Sequence, residues 1–141
     1  MWRVYLFFII LLMMAMMFAC KSEDPVSPSS ENLTSADRDK FIGNWAGTYQ
    51  CTNLPGDTLI ISAGNGELNF GIILHALTGD PNPEIVSGEL TRQNTITVPE
   101  QTIAGFPGSA TITYSNNILS LTQSGLGITC QGTYSVKFRG G

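Results

Sequence analysis

Two stretches decide the fold: Gly43-Asn44-Trp45-Ala46-Gly47-Thr48-Tyr49-Gln50-Cys51 and Cys130-Gln131-Gly132-Thr133-Tyr134-Ser135-Val136. Each alternates large apolar and polar residues with a period of two, the mark of a half-buried strand. Written antiparallel with Cys51 opposite Cys130, Tyr49 faces Gly132, Gly47 faces Tyr134 and Trp45 faces Val136. Each glycine then meets an aromatic ring, a favourable cross-strand pairing. Trp45, Tyr49, Tyr134, Val136 and Phe138 share one face, while Thr48, Gln50, Thr133, Ser135, Lys137 and Arg139 share the other. A sheet whose first and last strands pair is a barrel with no free edge.

Between these ends the chain is rich in Gly, Thr, Ser and β-branched residues, broken by turn chemistry. Eight strands are predicted, over 44–51, 57–63, 67–75, 85–91, 94–99, 108–115, 117–123 and 127–138. Asn65-Gly66, Gln93-Asn94 and Asn116-Asn117 read as tight turns. The other connections, 52–56, 76–84, 99–107 and 124–126, read as longer and hold or adjoin Pro55, Pro81, Pro83, Pro99 and Pro107. In an up-and-down meander, alternate connections lie at opposite ends, so the tight turns share one end and the longer loops the other. Ser35-Ala36-Asp37-Arg38 ahead of Asp39-Lys40-Phe41-Ile42 reads as one capped helical turn ended by Gly43. The expected fold is an all-β, eight-stranded antiparallel barrel, with an immunoglobulin-like β-sandwich as the alternative.

Gly43-Asn44-Trp45, opening the first strand after a short helical turn, resembles the Gly-x-Trp opening of lipocalin-like barrels. That resemblance implies an eight-stranded meander and a small hydrophobic ligand in the barrel mouth. The sequence has no Thr-Asp-Tyr segment.

The N-terminus carries an address. After Met1-Trp2-Arg3 runs an unbroken apolar stretch from Val4 to Ala19, shorter than the about 20 residues a spanning helix needs. A basic start, a short apolar stretch and a small final residue are the layout of a secretory signal. Met17-Phe18-Ala19-Cys20 resembles a lipobox, which makes Cys20 the lipidated residue. Lys21-Ser22-Glu23-Asp24 resembles the surface-export signal of Bacteroidota lipoproteins. The expected organisation is a signal peptide over 1–19, a lipid anchor and disordered tether over 20–37, and a barrel over 38–141. The tether is nearly free of apolar residues and cannot offset its own ordering entropy. The expected location is the outer membrane, facing the cell surface, with a periplasm-facing position as the alternative.

Export to an oxidising compartment leaves Cys51 and Cys130 as a pair, and they are expected to form a disulfide. Without Arg3, six basic residues stand against eleven acidic ones, a net charge of −5. No basic stripe is present to hold nucleic acid.

The remaining residues give little for chemistry. His75 is the sole histidine and falls at the end of the third strand. No Ser sits in a nucleophile-elbow pattern. Glu84, Glu89 and Glu100 have no spacing that selects a carboxylate pair. Asp80-Pro81-Asn82-Pro83-Glu84 offers oxygen ligands but lacks the glycine of a calcium loop and reads as a rigid turn. No cofactor, metal site or catalytic residue is expected. Leu54, Leu77, Ile103, Phe106 and Leu126 all fall at the longer-loop end and form the candidate binding rim. The expected role is a non-enzymatic binding module for a small apolar ligand or an envelope protein. The alternatives are a structural envelope component with a filled core and, lower, a hydrolase.

Overall fold

A computed structural model describes residues 32–51, 56–76 and 83–138. The expectations for the leader, Cys20, most of the tether, Leu54, Leu77 and Arg139 lie outside these residues, as do those for the side chains of Val136, Lys137 and Phe138. The described chain has one short helix, α1 (Ser35–Asp39). It has eight strands: β1 (Gly43–Tyr49), β2 (Asp57–Ala63), β3 (Asn69–Ile73), β4 (Val86–Arg92), β5 (Thr95–Ile103), β6 (Phe106–Ser115), β7 (Ile118–Gly125) and β8 (Ile128–Phe138). All pairings are antiparallel between neighbours in sequence, and β1 pairs with β8 to close the barrel. Tyr49 pairs with Gly132, Gly47 with Tyr134 and Trp45 with Val136, the register read from the sequence. Cys51 and Cys130 form a disulfide, their Cα atoms 5.7 Å apart.

The covering of the two glycines differs from the expected pattern. A Cβ on Gly132 would lie 2.7 Å from the ring of Tyr134, two residues along the same strand. A Cβ on Gly47 would lie 2.0 Å from the Thr133 carbonyl oxygen. Gly132 therefore makes room for a ring and Gly47 for the neighbouring backbone.

The barrel fills in layers from one end. Thr34 caps α1 through a reciprocal box with Asp37: the Thr34 hydroxyl accepts from the Asp37 amide, and the Asp37 carboxylate accepts from the Thr34 amide. The box makes Thr34 the N-cap, and the helix ends at Asp39 with Lys40 as its C-cap, ahead of Gly43. Phe41 then enters the end of the barrel, wholly buried, against Phe70 and Tyr114. The buried Trp45 indole donates to the Phe41 carbonyl at 2.8 Å. Lys40 reaches Asn94 at 2.8 Å and Arg38 reaches the Gly66 carbonyl at 3.4 Å, so this segment is strapped to the β4–β5 turn and to the β2–β3 loop.

Above this plug the waist is apolar. Gly88 faces inward, and a Cβ there would lie 2.8 Å from Ile72 and 2.9 Å from Ile96. Leu59, Ile61, Leu90, Val98, Ile112, Leu119 and Leu121 complete the layer. Each such side chain contributes roughly 1.5–3 kcal/mol by leaving water. Phe41, Ile103, Ala110 and Cys130 are buried in the same core.

The two ends differ from the expected loop pattern. At the plugged end, Gln93-Asn94 and Asn116-Asn117 are two-residue turns, while Asn65-Gly66 lies in a loop over 64–68 closed by the Gly64 amide on the Asn69 carbonyl. At the other end, only 50–56 and 74–85 are long connections. The expected loops 99–107 and 124–126 are instead two-residue turns, Ala104-Gly105 and Leu126-Gly127, at the tips of extended strands. Pro99 does not end β5. It sits beside a bulge between Val98 and Gln101, where a residue without an N–H is tolerated. Gln101 stands in for the interrupted ladder to β4, its side-chain amide bonding both the backbone amide and the carbonyl of Ser87 at 2.9 and 2.8 Å.

Candidate functional site

The two hairpins β5–β6 and β7–β8 form the taller wall of the open end. Between them and the end of β1 lies a cavity of about 410 Å³, within the range of small-ligand sites. Gly108 and Gly125 line it with backbone alone. Ile103, Phe106 and Leu126 of the candidate rim come together here, joined by Ile128 and the Cys51–Cys130 disulfide. Phe106, Leu126 and Ile128 are 57%, 65% and 61% exposed.

The turns of this end are built against backbone preference. Ala104 has φ 52° and Leu126 has φ 51°, left-handed values that favour Gly or Asn. At the plugged end the residues with such φ are Asn116 and Asn117, suited to them. Ala104 is held in place by its amide, which donates to the Glu84 carboxylate at 2.5 Å. Glu84 is thus a turn support. Glu89 and Glu100 are exposed on their own strands.

The floor of the mouth is polar. His75, just past β3, takes a left-handed φ of 55°. Its Nδ1 lies 2.8 Å from Asp57 Oδ2, and its Nε2 lies 3.1 Å from Gln123 Oε1. The Tyr49 hydroxyl donates to the same Gln123 oxygen at 3.1 Å. The Tyr134 hydroxyl donates to Asp57 Oδ2. The Tyr49 ring packs on the imidazole, centroids 4.1 Å apart. Five elements of sequence thus meet at one layer, from the end of β1, the start of β2, the end of β3, β7 and β8. Among the described residues no buried side-chain polar atom is left without a partner, as burial of such groups demands. Burial pushes the Tyr134 phenol well above its ordinary range, helped by its bond to the Asp57 carboxylate. Burial, then the Asp57 charge, raises Tyr49 as well.

His75 was visible in the sequence as the sole histidine, at the end of the third strand, but its partners were not. Gln123 carried a usable signal: it follows Leu119 and Leu121 at the inward parity of β7, where a polar side chain needs an explanation. Tyr49 and Tyr134 carried another, since inward phenols need partners. Asp57 gave none, because an acid after a glycine beside a loop is ordinary.

A second concavity of about 480 Å³ lies on the outer face of β3, β4 and β5. Within it Thr91 bonds Thr97 at 2.9 Å and the Asn69 amide donates to the Asn65 carbonyl at 3.1 Å. Family models and curated proteins give no match to this chain.

Proposed function

We propose that the protein is a lipid-anchored outer-membrane lipoprotein, facing the cell surface, whose barrel mouth binds a small, largely apolar molecule without chemistry. The location rests on the leader and on Cys20 with its acidic neighbours. The binding role rests above all on Leu126. A leucine in the left-handed region costs about 1–2 kcal/mol against a residue suited to it, and a leucine 65% exposed gains little from burial. Backbone strain and apolar exposure at one residue, on the rim of a cavity, mark a position kept for contact.

The Asp57–His75 pair supplies the base a hydrolase would need. Where a nucleophile would sit, on His75 Nε2, the structure has the Gln123 amide instead, which favours binding over catalysis. The filled waist favours the second reading, an envelope component that holds no small molecule.

Leu126→Asn separates these readings. Asn suits the turn, so stability should rise by about 0.5–1 kcal/mol in urea denaturation. Native mass spectrometry of the protein taken from its own envelope should show a retained small molecule, lost or weakened in the variant. A clean apo mass for the natural chain would favour the structural reading.

A further inference from the structure

We propose that the charge on His75 sets, through the amide of Gln123, which polar group the mouth accepts: a hydrogen-bond acceptor such as a carbonyl when His75 is protonated, and a donor such as an N–H when it is neutral. This rests on the mouth being a binding site.

The argument is an accounting of protons. Asp57 is a carboxylate at hydrogen-bond distance from both the Tyr134 hydroxyl and His75 Nδ1. A carboxylate only accepts, so the Nδ1 proton stays in place in either state of the ring. All change falls on Nε2, which faces Gln123. With the ring protonated, Nε2 donates to Gln123 Oε1, which lies 3.1 Å away. The amide then turns its Nε2, with two protons, toward the cavity that Gln123 lines. With the ring neutral, Nε2 is a lone pair and is satisfied only when the amide rotates and donates to it. The amide oxygen then faces the cavity.

Tyr49 donates to the same oxygen of Gln123; after the rotation its hydroxyl oxygen accepts from the amide nitrogen, and its own proton turns to the cavity that Tyr49 also lines. Its phenol stays protonated because burial and Asp57 hold it so. The groups facing His75 among the described residues are Asp57 from β2, Tyr49 from β1 and Gln123 from β7, with Tyr134 of β8 behind Asp57. Asp57 is the one formal charge among them, and it anchors the ring without touching the amide.

The test uses three bicyclic probes of one size: indane with no polar group, 1-indanone with an acceptor and indole with a donor. Binding to the full chain in lipid nanodiscs is followed by NMR at the Leu126 methyls, at pH values on either side of the His75 titration located from its own ring nitrogens. The free probe concentration is fixed by dialysis. The 1-indanone affinity should fall about fivefold from the acid to the alkaline side, the worth of one net hydrogen bond, and that of indole should rise by as much. Indane should bind alike at both. In Gln123→Met, the ratio of 1-indanone to indole affinity should no longer change with pH. A constant ratio of 1-indanone to indole in the natural chain, with indane bound, would overturn the proposal and leave the mouth as a binding site. So would a ratio that still changes with pH in the variant. Binding of none of the three would overturn both.

Discussion

At the scale of single residues, two glycines of the closing seam do different work. Gly47→Ala would place a methyl 2.0 Å from the Thr133 carbonyl, against backbone that cannot retreat without parting β1 from β8. Gly132→Ala would meet the Tyr134 ring at 2.7 Å, and a ring can tilt. Both overpack, which costs roughly 1–3 kcal/mol or more, and Gly47→Ala should stand at the upper end. Gly132→Ala should also disturb the Tyr134 bond to Asp57, and so the floor of the mouth. Urea denaturation ranks the two, and the NMR signals of His75 should shift in Gly132→Ala. The facing of these glycines was legible as a cross-strand pairing with aromatics. Which atoms they yield to was not, because register fixes backbone opposition and leaves ring rotamers open.

At the scale of elements, the structure separates what turn chemistry declares from what it conceals. Asn116-Asn117 announces its hairpin because Asn tolerates the positive φ that both residues adopt. Ala104-Gly105 and Leu126-Gly127 carry half of that signal, so their strands read as ending early at Pro99 and Gln123. The polar layer stayed hidden for a related reason: its members come from five separate stretches, and only the closed barrel brings them together. The plug was legible in outline as a capped turn before Trp45, but not Phe41 as its centre. Phe41→Ala should cost about 3–5 kcal/mol, since a fully buried ring leaves a cavity between Phe70 and Tyr114. Thr34→Ala, which removes only the cap, should cost about 1 kcal/mol. Trp45 fluorescence, with Trp2 lying in the leader, reports both unfolding transitions, and equal losses would contradict this layering.

At the scale of the whole molecule, two constraints act on the barrel from its open end. The disulfide spans a sequence separation of 79. In the chain-entropy model it disfavours the unfolded state by about 4.5 kcal/mol, an upper value for the loss expected in the Cys51→Ser, Cys130→Ser double variant. The second constraint is the buried phenols, and it sets an alkaline limit. In the unfolded chain a tyrosine gives up its proton near pH 10. In the folded barrel Tyr134 holds its proton to higher pH, because burial and the Asp57 carboxylate both disfavour the phenolate. The folded-state value is raised, so the stability tied to this group is complete below pH 10 and is lost as pH climbs from there through the folded value. The loss is at most about 1.4 kcal/mol per pH unit for one phenol. Tyr49 adds a smaller loss of the same sign. Urea midpoints measured from pH 8 to 11.5 should stay level to about pH 10 and then fall. Tyr134→Phe should start lower at pH 8, because Asp57 loses a donor, yet fall less steeply above pH 10. Parallel curves for the two proteins would show that the proton on Tyr134 does not couple to folding.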